Sequence, residues 1–393
     1  MPLLAQSSAL SSHKLLLTVQ RLRRLQRDRE RQTIRWTNFD ARVQSEPNSP
    51  ERGFELALYY AITKDAASGK QAVRWVLKHP CELRQVALVL DWAGDQVSDS
   101  ERKQLQSTNC KSTPGTIADR DALFMQIASG EDADALIEKT AKPLISQLQS
   151  GNWHDGTQLY AAFEYLYVVR FTQHTDLRQD YPRFFSSLPA ALLLALKPEE
   201  VDHPDWRMHA AALVLVGIDP NLESSQYLQG WAIEDRQMIT EGEGVAYELL
   251  WGDPYLPGVG YENLDPWSYD GDGTLFARTD WNGNACWIHV SKSAVDQENC
   301  PSGWQQKTMA FGRLTLAPLD GSCVQLSKRK MDETAIIWKL QPNQAVYYTL
   351  DAAGASAHAD SGGMWKVPAN ADNKICTSLD TLKVPQAHKP ARK

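Results

Sequence analysis

Asn152-Trp153-His154-Asp155-Gly156 leads directly into Tyr160, Glu164 and Tyr167. The i, i+4, i+7 spacing puts the last three on one helix face. Leu159, Phe163 and Leu166 fall on the opposite side. Tyrosine or histidine beside a carboxylate is a proton-transfer set, and Asn, Gln, His or Arg can neutralise a substrate carboxylate. One reaction such a set could serve is elimination beside a carboxylate: neutralise the acid, remove the neighbouring proton, protonate the leaving oxygen. In that chemistry Tyr160 moves the proton, His154 or His209 assists, and Asn152 or Arg207 sits near the carboxylate. The alternative is a core helix whose tyrosines are hydrogen-bonded and whose Glu164 pairs with an arginine.

Other constellations are weaker. Asp205 and His209 are four residues apart and could orient one another, although a helix-capping Asp beside a satisfied His fits equally well. Glu248 and Asp253, with Asp265 nearby, offer carboxylates for glycoside hydrolysis, and Glu164 with Glu248 is a second such pair; each needs a separation of about 5–9.5 Å. Asp270-Gly271-Asp272-Gly273 invites a calcium reading, but the twelfth position is Trp281 where a glutamate is required, so a tight turn is expected. The chain has no Gly-x-Ser-x-Gly elbow and no phosphate-cradling loop. No cofactor is called for. Cys and His never cluster at zinc spacing, so no metal is expected.

Between Gly244 and Ser291 the chain interleaves Tyr247, Trp251, Tyr255, Tyr261, Trp267, Tyr269, Trp281 and Trp287 with Asp, Glu, Asn and Gly. Flat aromatic faces beside carboxylates and amides suit sugar rings. Tyr261, Trp267 and Trp281 are the expected stacking wall, with Glu248 beside them, and the expected partner is a polysaccharide or oligosaccharide. The competing reading is that the same aromatics cement two domains.

At 393 residues the chain is long enough for two domains. Its net charge of −7 and pI near 5.8 give no basic footprint for nucleic acid. The arginines at 21, 23, 24, 27, 29 and 31 resemble such a patch, but Asp28 and Glu30 dilute them and a solvated helix is expected. No apolar run is long enough to span a membrane. Residues 1–6 could be the tail of a secretory signal and otherwise read as a disordered start. Six cysteines permit disulfides, with Cys81–Cys110 expected if the protein is exported and Cys286 partnered among Cys300, Cys323 and Cys376. The expected localisation is periplasmic or secreted.

The elements that must position these residues change character along the chain. Period 3.6 governs residues 18–245, with Thr18 capping the first helix, a Ser98/Glu101 capping box, a helix over 132–148 containing Pro143 and ending near Gly151, and Asp155 capping the helix through Phe171. Helices are also expected over 190–196, 205–217 and 223–234. From Thr274 the period is two, with strands over 275–278, 286–290, 313–316, 323–326, 335–338 and 346–350. Asn282-Gly283 and Asp320-Gly321 read as hairpin turns. The expected organisation is a segment 1–17, a helical domain 18–245, an aromatic seam 246–273, an antiparallel β domain 274–380 and a basic tail 381–393.

HKLLLTVQRLRRLQ resembles the opening of heparinase II/III-like and related alginate-lyase proteins. YLPGVGYENLDPWSYDGDGTLFARTDWNGNACWIHVS resembles the place where those proteins pass from an incomplete α/α toroid into a β-sandwich, and the arginine before Asp280-Trp281 is its most recognisable piece. The resemblance implies an α+β multidomain fold: an incomplete α/α toroid followed by a small antiparallel β-sandwich-like domain. It also implies a polysaccharide lyase acting on a uronate-containing chain. Lys292–Gly312 lacks the histidines that the enzymes carry after this strand, and the β domain is short. A non-catalytic glycan-binding or scaffolding relative is therefore the first alternative, and a glycoside hydrolase on the same toroid the second.

Overall fold

A computed structural model of the chain describes residues 15–149, 151, 153, 155–264, 267–269, 275–278, 281–285, 287–290, 295–299, 307–309, 312–320, 323–325, 334–341, 344–350, 365–367 and 374–375. Asn152, His154, Asp265, Asp270–Gly273, Asp280, Cys286, Cys300, Cys376, residues 1–14 and the basic tail lie outside them. So do the side chains of Trp267 and Cys323.

Among the described residues the chain is mostly helical, as periodicity predicts, with fourteen α-helices. They are α1 (Val19–Glu30), α2 (Ile34–Ser45), α3 (Arg52–Thr63), α4 (Ala66–Lys78), α5 (Leu83–Trp92), α6 (Asp99–Ser107), α7 (Thr116–Ser129), α8 (Asp134–Gln149), α9 (Gly156–Phe171), α10 (Pro182–Ala195), α11 (Pro198–Asp202), α12 (Trp206–Ile218), α13 (Glu223–Ala232) and α14 (Gly244–Trp251). The expected caps are present. Thr18 accepts from Arg21 N, Ser98 and Glu101 form the reciprocal box, and Asp155 accepts from Thr157 N and Gln158 N. Each satisfies amide groups that a helix start leaves without partners. Pro143 lies inside α8, and Gly151 takes the left-handed conformation (φ 69°) just beyond its end. Pro189 likewise lies inside α10, which starts at Pro182 rather than at the expected residue 190.

The chain forms two compact units. The first comprises residues 1–147, 153–182 and 205–259. Within it α3 packs on α5, α5 on α7, α7 on α9, α9 on α12, α12 on α14, α14 on α2 and α2 on α3, so the neighbours close into a ring. Leu15–Leu17, just before α1, are buried: Leu15 N donates to Asp91, and Trp92 Nε1 donates back to Leu15 O at 2.9 Å. A disulfide joins Cys81 to Cys110 across 29 residues, as expected; a loop of that length stabilises by about 3–4 kcal/mol in the chain-entropy model.

The arginine-rich first helix is solvated at Arg23, Arg27 and Arg29, as expected, but not at Arg21 and Arg24. Arg24 is buried, and its guanidinium donates to the carbonyls of Leu249, Leu250 and Gly252 at the end of α14. These acceptors have no intrahelical partner and sit at the negative end of the helix dipole, which is why a cation is held there. Arg21 lies 4.0 Å over the Trp251 ring and 4.5 Å over the Tyr167 ring. Both arginines thus lock α1 onto α14, a helix inside the stretch expected to be a non-helical seam.

The second unit takes residues 148–152, 183–204 and 260–393, so α10 and α11 belong with the strands rather than with the expected 18–245 domain. The reason is local bonding. Trp287 Nε1 donates to Leu194 O at 2.8 Å and Arg278 to Leu196 O at 3.3 Å. Strands β1 (Trp267–Tyr269), β2 (Leu275–Arg278), β3 (Trp287–Val290) and β4 (Val295–Glu298) pair antiparallel in sequence order. Strands β5 (Lys307–Met309), β6 (Gly312–Asp320), β7 (Cys323–Gln325), β8 (Thr334–Gln341), β9 (Gln344–Leu350), β10 (Trp365–Val367) and β11 (Lys374–Ile375) pair in the order β10-β8-β9-β6-β7-β11, with β5 on β6. Asp320 pairs with Cys323, so the strands on either side of the expected Asp320-Gly321 hairpin are paired antiparallel. The hairpin expected at Asn282-Gly283 is present: β2 and β3 pair antiparallel, with Arg278 facing Trp287. A sandwich needs sheets packed face to face, and among the described residues the sheets are defined by backbone pairing alone.

Candidate functional site

The ring helices carry buried charge along their inner length. Arg84 stands in the first turn of α5, where its long arm reaches α9. Its Nε donates to Glu164 Oε2 at 2.8 Å and its Nη2 to Oε1 at 2.7 Å, a bidentate pair. Arg120 of α7 adds a third bond, 3.1 Å to Oε2. Tyr160, one turn before Glu164, donates its hydroxyl to Oε1 at 2.6 Å and accepts from Trp251 Nε1 at 2.9 Å and Arg84 Nη2 at 3.3 Å. Tyr247 completes the cluster, its ring edge-on to Tyr160 at 4.9 Å and its hydroxyl 3.3 Å from Arg84 Nη1. Glu51 reaches Arg84 Nη1 at 3.2 Å and is the partly exposed end of the network.

Glu164 is 0% exposed and Tyr160 5%. Burial opposes charge on Glu164, but the two guanidinium groups and the bonds from Arg84 and Tyr160 overcome it, so its pKa lies below the ordinary carboxylate value. Burial and the adjacent Glu164 carboxylate push the Tyr160 hydroxyl well above its usual range. Burial does the same to Tyr247. A tyrosine in this setting keeps its proton and has no lone pair turned to solvent. The expected split of α9 into a polar cleft-lining face and an apolar face is corrected: every residue from Leu159 to Val169 is buried, with α7 and α12 packed on the helix and Arg84, Tyr247 and Trp251 closing over Tyr160. Tyr160 and Glu164 form a core hydrogen-bonded network with arginine partners.

His209 and Glu248 form a second buried constellation. His209 Nε2 meets Ala232 O at 2.9 Å, and its Nδ1 lies 3.6 Å from Glu248 Oε2 with no hydrogen bond. Arg35 Nε donates to Glu248 Oε1 at 2.6 Å. Burial holds the His209 pKa below its ordinary value against the pull of Glu248. Asp205 does not orient His209; it caps α12 by accepting from Arg207 N at 2.8 Å. Arg207 is half-buried over the Trp206 ring at 4.4 Å, with Glu243 at 3.6 Å. Both glutamates of the expected hydrolase pair are thus engaged by arginines, and Asp253 lies 3.9 Å from Arg24.

In the second unit, Tyr261 is buried and meets half-buried Trp281 edge-on at 5.2 Å. The guanidinium of fully buried Arg278 lies 4.2 Å from the Trp281 ring centroid. One indole is therefore held flat from within, with part of its area at the surface beside exposed Asn282, Gly283 and Asn284.

Arg84, Arg120, Tyr247 and Trp251 were not singled out as site residues by sequence. Arg84 interrupts the apolar pattern of Leu83, Val86 and Leu90, which is the trace it leaves. No protein-family model matches the chain, and no curated protein matches it.

Proposed function

We propose that this protein is a glycan-binding relative of the heparinase II/III-like proteins that holds a polysaccharide or oligosaccharide without cleaving it. The architecture in this reading is an incomplete α/α toroid followed by a β-sandwich-like domain; the closed ring of helix neighbours supports the first part. The observation that carries the binding role is Trp281. Its indole is braced by Arg278 and Tyr261, stays partly at the surface, and stands among amide-bearing residues, the surroundings a sugar face uses. Against elimination stands Tyr160, whose hydroxyl is committed to Glu164, Trp251 and Arg84 in a buried network. The Cys81–Cys110 bridge supports an exported protein, because disulfides persist in oxidising compartments.

Titration of tryptophan fluorescence with acidic and neutral polysaccharides tests the reading. A saturable response that Trp281→Ala abolishes, with no ultraviolet signal of a new conjugated double bond on uronate polymers, is expected. Accumulation of unsaturated product, lost in Tyr160→Phe, restores the lyase. No response to any polysaccharide removes the carbohydrate assignment.

A further inference from the structure

In the first unit, one face of α1 and its C-cap borders a cavity of about 260 Å³ lined by Arg24, Arg27, Asp28, Arg31 and Tyr255. The four helix residues recur at i, i+3, i+4 and i+7, so one stripe of α1 supplies three guanidinium groups and one carboxylate. The fifth wall is Tyr255, on the segment that follows α14. In a chain of net charge −7 this is a local excess of positive charge.

Two features distinguish the cavity from a solvated charged face. The first is Arg24, which is 4% exposed. Its two terminal nitrogens are taken by carbonyls at the end of α14, but its Nε is buried with no hydrogen-bond partner, and the nearest carboxylate oxygen, on Asp253, is 3.9 Å away. Burial lowers the Arg24 pKa to about 10, a sign that its charge is incompletely compensated. Burial also raises the pKa of Asp28, against the pull of Arg24. The second is Tyr255, a large aromatic that is 67% exposed. Its exposure is built in. Gln229 Nε2 donates to Asp253 O at 2.8 Å, Asp253 caps Tyr255 N at 3.0 Å, and Val259 N donates to Gln226 O at 3.0 Å. Val259 O lies so close to Gly230 that a Cβ there would stand 1.8 Å from it. The segment is pinned on both sides of the tyrosine, whose hydroxyl accepts from Arg31 Nη1 at 3.3 Å. Arg27 and Arg31 are both exposed at the rim.

We propose that this cavity is a subsite for one acidic sugar residue, its carboxylate taken by Arg27 and Arg31 and its ring face laid on Tyr255. Planar guanidinium groups match a carboxylate in two-point fashion, and a flat aromatic beside them selects a ring over a bare ion. A cavity this small, below the usual size for drug-sized ligands, takes a single ring rather than a chain. The proposal rests on the glycan-binding reading and narrows it to acidic glycans.

The test is calorimetric titration of the full chain with oligogalacturonate, its methyl ester, inorganic phosphate and a short single-stranded DNA. Oligogalacturonate is expected to bind, the methyl ester at least about tenfold more weakly, the loss expected when charge-assisted hydrogen bonds are removed. Arg27→Gln/Arg31→Gln should weaken the acid to the level of the ester. Tyr255→Ala should weaken it several-fold and Tyr255→Phe should not. These positions are exposed, and unchanged thermal melting of each variant confirms an intact fold. Oligogalacturonate binding that ignores the double variant but is lost in Trp281→Ala sinks the subsite and leaves the glycan reading standing. Arginine-dependent binding of phosphate with none of the saccharide overturns both. DNA binding as tight as the saccharide's makes the stripe a nucleic-acid contact and likewise overturns the proposal.

Discussion

Glu164 stays ionised because three partners reach it, and the same three make it expensive to alter. Glu164→Gln removes the buried carboxylate that Arg84 and Arg120 share, leaving Arg84 the partly exposed Glu51 and Arg120 its neighbour Asp121. A loss of about 3–5 kcal/mol is expected, read from the urea midpoint. A catalytic glutamate would show unchanged stability instead. His209 gives a pH signature. Its folded pKa lies below the ordinary 6.5, so the unfolded chain takes up a proton first as pH falls. The stability contributed by neutral His209 is therefore complete above 6.5 and declines below it, towards the folded pKa. His209→Asn keeps a donor for Ala232 O but does not titrate. The gap in melting temperature between wild type and variant should be widest near neutrality and narrow as the pH falls below 6.5. A gap that is constant with pH would mean that His209 titrates alike in the folded and unfolded chain. The sequence placed Tyr160 and Glu164 on one helix face correctly; it could not show that Arg84, Tyr247 and Trp251 close over Tyr160, which decided between a cleft and a core.

At the scale of elements, α1 and α14 are joined by charge meeting carbonyl ends. Arg24→Met keeps much of the aliphatic packing and removes every donor to Leu249, Leu250 and Gly252. Leaving buried carbonyls without partners should cost about 3 kcal/mol, and Arg24→Lys should recover only part, since an ammonium is a point donor where a fork is needed. Equal stability of all three proteins would show that water reaches the end of α14. The caps at Thr18, Ser98 and Asp155 were legible because capping is a rule about neighbours in the chain. The role of Arg24 was not, because its acceptors lie more than two hundred residues away.

At the scale of the molecule, the boundary between units does not follow the change of periodicity. Residues 183–204 read as helix, and are helix, yet they join the strands through Leu194 and Leu196. A chain ending at residue 259 would therefore keep α10 and α11 without Trp287 and Arg278. Such a truncation is expected to lose amide protection over residues 183–204 in hydrogen exchange, while α9 and α12 stay protected. Retained protection in α10 would show that the helix is held by other means.

What the sequence determined is local: the helices and their caps, the switch to strands near Thr274, and the grouping of aromatics beside polar residues. These follow from periods of 3.6 and two and from side chains that bond to their own neighbourhood. Tertiary structure alone decided which of the polar residues face water. Glu164 and Glu248 became core groups because arginines from distant helices reach them, His209 because Ala232 O and Glu248 meet its ring, Arg24 because a helix end needed a donor, while Tyr255 and Trp281 kept surface area. Burial and partner choice depend on packing between segments far apart in the chain, and no spacing rule within one segment encodes them.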